Sequence, residues 1–202
     1  MAASRFVSGL RLIELPPGAE LVRVHHLARD PVFFGPAAGK APQNRFDAPA
    51  QQYRTLYTAA QLEGAFVETV LRRPQGRILR REAVEERGWS ILRPNRTVRL
   101  AKIYDDGLQF HQIDAGEIST DDYSLSRALA LALFEEAADL DGLAYRSRYN
   151  NGEICYAIFD RIDSQDFAKE SANRFADHRK RVDGLMELYG AVFDTSPPIP
   201  NL

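Results

Sequence analysis

The sequence predicts one α+β domain, and three observations support this fold class. The chain has 202 residues, which is near the upper end for one compact core. Segments with the patterns of strands and of helices alternate irregularly, without the regular spacing of a doubly wound sheet. No repeat or low-complexity segment divides the chain. We therefore expect a single domain over residues 1–202, with a core over 20–162 and a C-terminal helix over 166–190.

The composition excludes several classes of protein. Hydrophobic residues make up 45% of the chain and charged residues 27%, as in ordinary globular proteins. A net charge of −2 and an isoelectric point near 6.1 give no general positive field for nucleic acid or anionic lipid. The N-terminal "MAASRFVSGLRLIEL" lacks the apolar core of a signal peptide, and no segment approaches the length of a membrane span. We expect a cytoplasmic protein with no direct nucleic-acid or membrane partner.

Neither cysteine nor histidine predicts a metal site. The single cysteine, Cys155, excludes an internal disulfide and a multi-cysteine zinc site, and its context "ICYAIF" indicates a small buried side chain. His25 and His26 are adjacent in a predicted strand, so their side chains point to opposite faces. Phosphate-loop, G-x-G-x-x-G and H-E-x-x-H motifs are absent. We expect no bound metal.

A strand and a long loop open the domain. The predicted strand "LVRVHH" carries Val22 and Val24 on one face and Leu21 and Arg23 on the other. The polar, Gly/Pro-rich loop over 30–52 follows it. Loops of this length are uncommon in compact domains and often bind ligands.

A strand–helix unit comes next. The segment "YRTLYT" is a predicted strand, and Thr58 with Gln61 forms the capping-box pattern T-x-x-Q that starts a helix. Pro74 follows the end of this helix closely. The apolar stripe of the helix consists of Leu62, Ala65, Phe66 and Val70.

The second half of the chain continues the alternation. It predicts a short helix at "REAVEERG", strands at "WSILRP" and "RTVRLAKIYD", and a long helix at "YSLSRALALALFEEAADL". The strands "GLAYRS" and "EICYAIFDRI" flank Asn151-Gly152, which is a strong hairpin signal. A last helix is expected from about Asp166 to Tyr189, with a buried stripe of Val182, Leu185, Met186 and Tyr189.

Glu68 interrupts the apolar run "LEGAFVETVL" in the predicted helix. On a helical wheel it falls near Gln61 and Arg72, and Glu68 with Arg72 makes a favourable i, i+4 pair. Periodicity alone therefore favours a solvated helix edge for this carboxylate.

Four blocks in order resemble the RES domain family, which takes its name from an arginine, a glutamate and a serine. The blocks are "VRV", "NRFDAP", "LYTAAQLEGAFVETVL" and "DGLAYRSRYNNGEICYAIF". The match runs from about Arg23 to Phe159. Its most specific part joins an "LY-x-A" strand end to an "A-x-x-E" helix ending at Glu68.

The resemblance implies a fold similar to that of ADP-ribosyltransferases, with a mixed β core and flanking helices. It implies an enzyme that consumes NAD as its substrate and cleaves the nicotinamide–ribose bond, as an NAD glycohydrolase or phosphorylase. Many members are toxins of type II toxin–antitoxin pairs, so an Xre-like antitoxin is the expected protein partner. Two alternatives stay open: a protein ADP-ribosyltransferase, and a catalytically silent binding module of the same fold.

By position, the resemblance assigns the family's residues to Arg23, Arg45, Tyr57, Glu68 and Ser147. It implies catalytic roles for Glu68, Ser147 and Arg23, and NAD-binding roles for Arg23, Arg45, Tyr57 and Ser147. A carboxylate suits the reaction because bond cleavage develops positive charge on the ribose. Arginines suit a diphosphate because their planar donors make charge-assisted pairs. Tyr57 is expected to stack on the nicotinamide or hydrogen-bond near it, and Ser147 to bind the ribose or the carboxamide.

The loop block departs from the family pattern, because "G-R-W-N" is replaced by "NRFD". Asp47 stands where the family often has asparagine, and it is expected to bring an extra negative charge near the phosphates. Structural interpretations also stay open for the site residues. Arg23 suits an ion pair on a strand face, Arg45 an exposed loop position, and Tyr57 a strand-end core aromatic. Ser147 suits the opening of a turn.

Overall fold

A computed structural model describes residues 9–72 and 77–195. Its strands are β1 (Leu12–Leu15), β2 (Leu21–His26), β3 (Thr55–Ala59), β4 (Ile78–Leu79), β5 (Arg87–Pro94), β6 (Val98–Ile103), β7 (Gly142–Arg146), β8 (Ile154–Phe159), β9 (Phe167–Lys169), β10 (Asn173–Arg174) and β11 (Val192–Phe193). Its α-helices are α1 (Leu62–Thr69), α2 (Arg81–Glu85), α3 (Asp106–Phe110), α4 (Ala115–Ile118), α5 (Ser124–Glu136) and α6 (Arg179–Leu188).

One curled mixed sheet organises the domain. Nine of the described strands form it, in the order β1-β6-β7-β8-β3-β2-β5-β10, and β9 pairs with the other end of β5. The neighbours β6 and β7 run parallel, whereas every other pair in this sheet is antiparallel. Strands β4 and β11 form a small parallel pair of their own. This single-domain α+β architecture is the predicted one.

The large sheet is split between β2 and β3. Val22 and Ala59 form the one register pair that joins these two strands. From that point β2 continues alongside β5 as far as His26, whereas β3 stays paired with β8 as far as Thr55. The loop covers the freed edge of β3 in part, because Gly35 makes an isolated bridge to Thr55. A gap therefore opens in the middle of the sheet.

Each face of the sheet has its own hydrophobic core. One core contains Val22, Val24 and Phe66 and lies beneath α1, α5 and α6. The other contains Leu21 and Leu56 and is closed by loop and strand residues. The predicted division of β2 into two faces is thus confirmed.

The main local predictions are confirmed. The β2 and β3 strands, the α1, α2 and α5 helices and the β7–β8 hairpin all form where the sequence predicts them. The long loop between β2 and β3 has no strand or helix of its own. Pro74, expected just beyond α1, lies outside the described residues.

The predicted last helix is wrong over its first half. Residues 167–169 and 173–174 are strands, and the helix α6 begins only at Arg179. Both short strands pair with β5, and Phe167 and Phe175 are buried. Sheet pairing and burial of these aromatics outweigh the local helical preference. Of the predicted stripe, Val182, Leu185 and Met186 are buried, whereas Tyr189 is the C-cap of α6 and is only half-buried.

The predicted capping box is also wrong. Helix α1 begins at Leu62, and Gln61 is its N-cap without a side-chain hydrogen bond. Thr58 belongs to β3, where it pairs with Tyr156 of β8. The strand extends past the point where the pattern placed the cap, so the threonine hydroxyl does not serve the helix.

None of the helices in residues 9–72 and 77–195 is long and apolar enough to cross a membrane. These same residues contain no cluster of three or more His, Cys, Asp or Glu side chains arranged to hold a metal ion.

Candidate active site

A cavity of about 310 Å³ lies at the gap between β2 and β3. Neighbouring residues of a strand point to opposite faces, and the adjacent residues Tyr57 and Thr58 both line the cavity. The cavity therefore reaches both faces of the split sheet. Helix α1 and the long loop provide further walls through Glu68 and Arg45.

The residues that line the cavity carry more positive than negative charges. Glu68 is the one carboxylate among its described lining residues. The arginines that line it are Arg23, Arg29, Arg45, Arg72, Arg87 and Arg148. Six guanidinium groups around a concave surface produce a local positive potential, although the whole chain has a net charge of −2. This cavity is suited to an anionic ligand.

Glu68 is half-buried at the C-terminal end of α1 and lines the cavity together with Tyr145 of β7 and Cys155 of β8. Its Oε1 atom is buried and has no hydrogen-bond partner. The predicted ion pair with Arg72 does not form, because Arg72 lies beside the phenols of Tyr123 and Tyr149. The last turn of a helix disfavours a negative charge. The solvated helix edge that periodicity indicated is therefore not what the structure shows.

Arg45 is held between two aromatic rings. Its Cζ atom lies 4.6 Å from the ring centroid of Phe46 and 4.5 Å from that of Tyr145. Its Nη2 donates to the carbonyl oxygen of Arg146 at 3.2 Å. The side chain is only 7% exposed, and its Nε has no partner. Arg45 is thus a fixed, buried cation and not the exposed loop residue that one interpretation allowed.

Asp47 and Tyr57 fix the loop that carries Arg45. The carboxylate of Asp47 is fully buried and accepts hydrogen bonds from the backbone N–H groups of Gln43 and Asn44, at 2.8 and 2.7 Å. Tyr57 donates its hydroxyl hydrogen to Asp47 and accepts from the backbone N–H of Phe46 at 3.0 Å. The Asp47 carboxylate therefore acts as a hydrogen-bond acceptor for the loop backbone. Asp47 is not among the residues that line the cavity.

Arg23 lies on the other side of the split sheet. The register pair of Val22 with Ala59 places Arg23 opposite Thr58 at the next step along the two strands. Its Nη1 donates to the carbonyl oxygen of Phe33 at 2.8 Å. Burial lowers the pKa of Arg23 to about 10, against an opposing effect of Asp30. The group stays charged at neutral pH.

A comparison with protein families agrees with the order of the sequence blocks. A family model described as the RES domain matches residues 20–179. The chain belongs to the RES domain family. The matched residues include both sides of the split sheet and every residue described above in the cavity walls.

Comparison with solved structures gives the same fold for this RES protein. A chain of the crystal structure of the M. tuberculosis MbcT–MbcA toxin–antitoxin complex superposes with a TM-score of 0.61 at 14% sequence identity. The alignment covers 83% of this chain and 90% of that chain. At this identity the likeness concerns the fold. No curated protein matches the sequence.

Four of the five residues that the resemblance assigned meet at the cavity of this RES protein. Arg23, Arg45, Tyr57 and Glu68 line it, and they come from β2, the loop, β3 and α1. Ser147 does not line it.

Ser147 serves the hairpin turn instead. Its Oγ accepts hydrogen bonds from the backbone N–H groups of Tyr149 and Asn150, at 3.1 and 3.2 Å. The side chain is 1% exposed and lines a neighbouring cavity of about 280 Å³ that shares Arg45 with the main one. Binding of ribose or carboxamide by Ser147 stays a prediction. The turn-opening interpretation is the one that the structure shows.

Tyr145 and Thr58 are two of the polar residues of the cavity wall to which sequence analysis gave no site role. Tyr145 is 4% exposed, lies on β7 and faces Arg45. The Thr58 hydroxyl is buried without a partner, so it joins Arg45 Nε and Glu68 Oε1 as a third unsatisfied atom in this wall. Tyr145 has the pattern of an ordinary strand residue and Thr58 that of a helix cap, and no local signal marks either as a cavity residue. The register of the sheet alone brings them to the cavity.

Proposed function

We propose that this protein is an enzyme that cleaves the nicotinamide–ribose bond of NAD and acts as the toxin of a toxin–antitoxin pair. One observation carries the enzymatic part. A lone carboxylate with an unpartnered, buried oxygen faces a cavity that six arginines line. Buried polar atoms in proteins almost always have partners, and three residues of this wall, Arg45, Thr58 and Glu68, each carry one that has none.

The reaction requires a negative charge beside the ribose. The bond between the ribose C1′ and the nicotinamide nitrogen breaks, and its electron pair leaves with nicotinamide. Positive charge then develops on the ribose, and a fixed carboxylate beside it stabilises that charge. Glu68 supplies this carboxylate, which is the one carboxylate among the described lining residues. Water or phosphate adds its oxygen to C1′ and releases its proton to solvent.

The arginines suit the rest of the substrate. NAD carries a diphosphate, and guanidinium groups bind phosphoryl oxygens through planar, charge-assisted hydrogen bonds. Arg45 is buried with a free Nε donor, and Arg23 lines the opposite side of the gap. We assign both to the diphosphate and its adjoining riboses. Tyr57 contributes its ring to the wall, because its hydroxyl is already bound to Asp47.

The toxin assignment is supported by family and fold. RES membership covers most of the chain, and the structural relative comes from a toxin–antitoxin complex. We propose an Xre-like antitoxin as the protein partner. Expression of this chain alone should arrest bacterial growth and deplete NAD, and coexpression of an adjacent Xre-like gene should restore both. Normal growth and normal NAD after confirmed expression would contradict the toxin role.

The enzymatic proposal is tested with purified protein and NAD. Free nicotinamide is measured, and mass spectrometry distinguishes ADP-ribose from its phosphorylated form in buffers with and without phosphate. Glu68→Gln should lower kcat by about 100-fold or more, because it removes the charge and keeps the shape. The matched control is Glu63→Gln on the same helix, since Glu63 pairs with Arg181 at 2.8 Å outside the cavity. Equal activity of the two variants would contradict the role of Glu68.

Labelled NAD separates the two alternative functions from this one. Transfer of label to a protein extract in place of free ADP-ribose would indicate a protein ADP-ribosyltransferase. Absence of nicotinamide release from antitoxin-free protein, together with no heat of NAD binding, would favour the catalytically silent module.

A further inference from the structure

The hydroxyl of Tyr145 makes no hydrogen bond within the described part of the protein, although its side chain is almost fully buried. The side chain is 4% exposed and lines the main cavity. Among the described residues the hydroxyl has no hydrogen-bond acceptor, whereas those of Tyr53, Tyr57 and Tyr189 donate to Phe46, Asp47 and Glu63. Buried tyrosine hydroxyls usually find a partner. Because Tyr145 lines the cavity, a ligand bound there is able to supply this acceptor.

The ring of Tyr145 is rigidly placed. It packs against Phe46 with ring centroids 4.7 Å apart, and it lies 4.5 Å from Cζ of Arg45. The backbone of Tyr145 is paired on both sides, with Ile103 of β6 and Cys155 of β8. A side chain fixed at so many points presents its hydroxyl with little loss of conformational freedom on binding.

The protonation state of Tyr145 defines its role. Burial, together with the negative charge of Glu68, raises the pKa of Tyr145 well above its usual value. The hydroxyl keeps its proton and acts as a hydrogen-bond donor. Arg45 Nε–H, which lacks a partner, is a second donor on the same wall.

Two donor side chains in contact with each other, one of them a guanidinium, select a particular ligand group. An oxyanion with several lone pairs accepts both, and a phosphoryl oxygen next to a ribose satisfies this condition. Glu68 Oε1 in the same wall is an acceptor, so it suits a hydroxyl group of that ribose. The wall thus complements a sugar phosphate.

We propose that Tyr145 and Arg45 together bind a phosphoryl oxygen beside the ribose that Glu68 contacts. This inference rests on the proposed function. The phosphoryl oxygen has two possible sources, which are the diphosphate of NAD and a free phosphate that attacks C1′. Tyr145 is in either case a binding residue that touches substrate and that sequence reasoning did not assign.

The test compares Tyr145→Phe with Tyr189→Phe. Tyr145→Phe keeps the ring against Arg45 and removes only the donor. It should raise KM about tenfold for NAD, or for phosphate at saturating NAD, which distinguishes the two sources. Its melting temperature without ligand should match that of the wild type, because no protein hydrogen bond is lost. Tyr189→Phe should show the opposite pattern, since its hydroxyl bonds Glu63 and Asn150 outside the cavity.

Binding of inorganic diphosphate, followed by calorimetry, provides a measurement that does not depend on turnover. Tyr145→Phe should weaken it about tenfold. Unchanged KM values together with unchanged diphosphate affinity would overturn the inference. A wild type that binds diphosphate through Tyr145 but releases no nicotinamide would overturn only the proposed function.

Discussion

The hydroxyl of Tyr57 donates a 2.9 Å hydrogen bond to Oδ1 of Asp47, and this contact joins the long loop to β3. Asp47 also accepts from two backbone N–H groups of the loop, and Tyr57 accepts from a third. Arg45 lies within the segment that these bonds fix. The position of the buried guanidinium thus depends on a tyrosine in the sheet.

Removal of the Tyr57 hydroxyl should disturb the position of Arg45 indirectly, through the loop. Tyr57→Phe leaves Asp47 and the backbone N–H of Phe46 each one partner short, so we expect a loss of about 2 kcal/mol of unfolding free energy. KM for NAD should rise more than kcat falls, because the loop is needed for binding. Denaturant titration and steady-state kinetics measure these effects. An unchanged KM in a destabilised variant would show that the loop holds Arg45 without this bond.

Asp47 should tolerate asparagine far better than alanine. Asparagine retains a carbonyl oxygen for the N–H groups of Gln43 and Asn44, and we expect a loss of about 1 kcal/mol. Alanine leaves both groups without their acceptor, with an expected loss of about 3 kcal/mol. The midpoints of urea denaturation compare the two variants. Similar midpoints would contradict the role of Asp47 as organiser of the loop.

Ser147→Ala should affect stability more than chemistry. The hydroxyl accepts two backbone hydrogen bonds in the β7–β8 turn, and its loss should cost about 1–2 kcal/mol. We expect kcat for nicotinamide release to fall much less than in Glu68→Gln. Kinetic assays below the melting temperature of the variant check this. A loss of kcat equal to that of Glu68→Gln, with the fold intact, would restore a direct catalytic role.

Acid should destabilise the protein through His25. The imidazole is 6% exposed and lies within 3.1 Å of the Ser90 hydroxyl and the His26 carbonyl oxygen. Burial lowers its pKa below 6.5, and the charge of Arg23 adds to the shift, whereas the His26 carbonyl and Asp30 oppose it. The unfolded chain therefore binds a proton at higher pH than the folded chain does. Stability is full above pH 6.5 and declines as the pH falls below it, by at most about 1.4 kcal/mol per pH unit.

The contribution of His25 is isolated by comparison with His25→Gln. Unfolding free energies are measured for both proteins at several pH values on either side of 6.5. The wild type should lose more stability than the variant on acidification. Parallel curves for the two proteins would assign the acid sensitivity to other groups.

Local periodicity explains how much of the fold the sequence predicts. Alternation in "LVRVHH" defines both faces of β2, and Asn151-Gly152 defines the β7–β8 hairpin. These features depend on neighbours in the chain. The segment at Phe167 is different, because its strand exists only through pairing with β5. A pattern read along one segment does not contain that partner.

The candidate site likewise has features that the sequence predicts and features that only the fold determines. The sequence alone, through the order of its blocks, determined the family and identified Arg23, Arg45, Tyr57 and Glu68 as candidates. Only the tertiary structure decided that β2 and β3 part after one register pair, and that this gap is the cavity. It also placed the Ser147 side chain in the hairpin turn and Tyr145 in the cavity wall. Strand register decides on which face and at which position a side chain lies. Long-range pairing and burial determine this register, and a single sequence does not specify it.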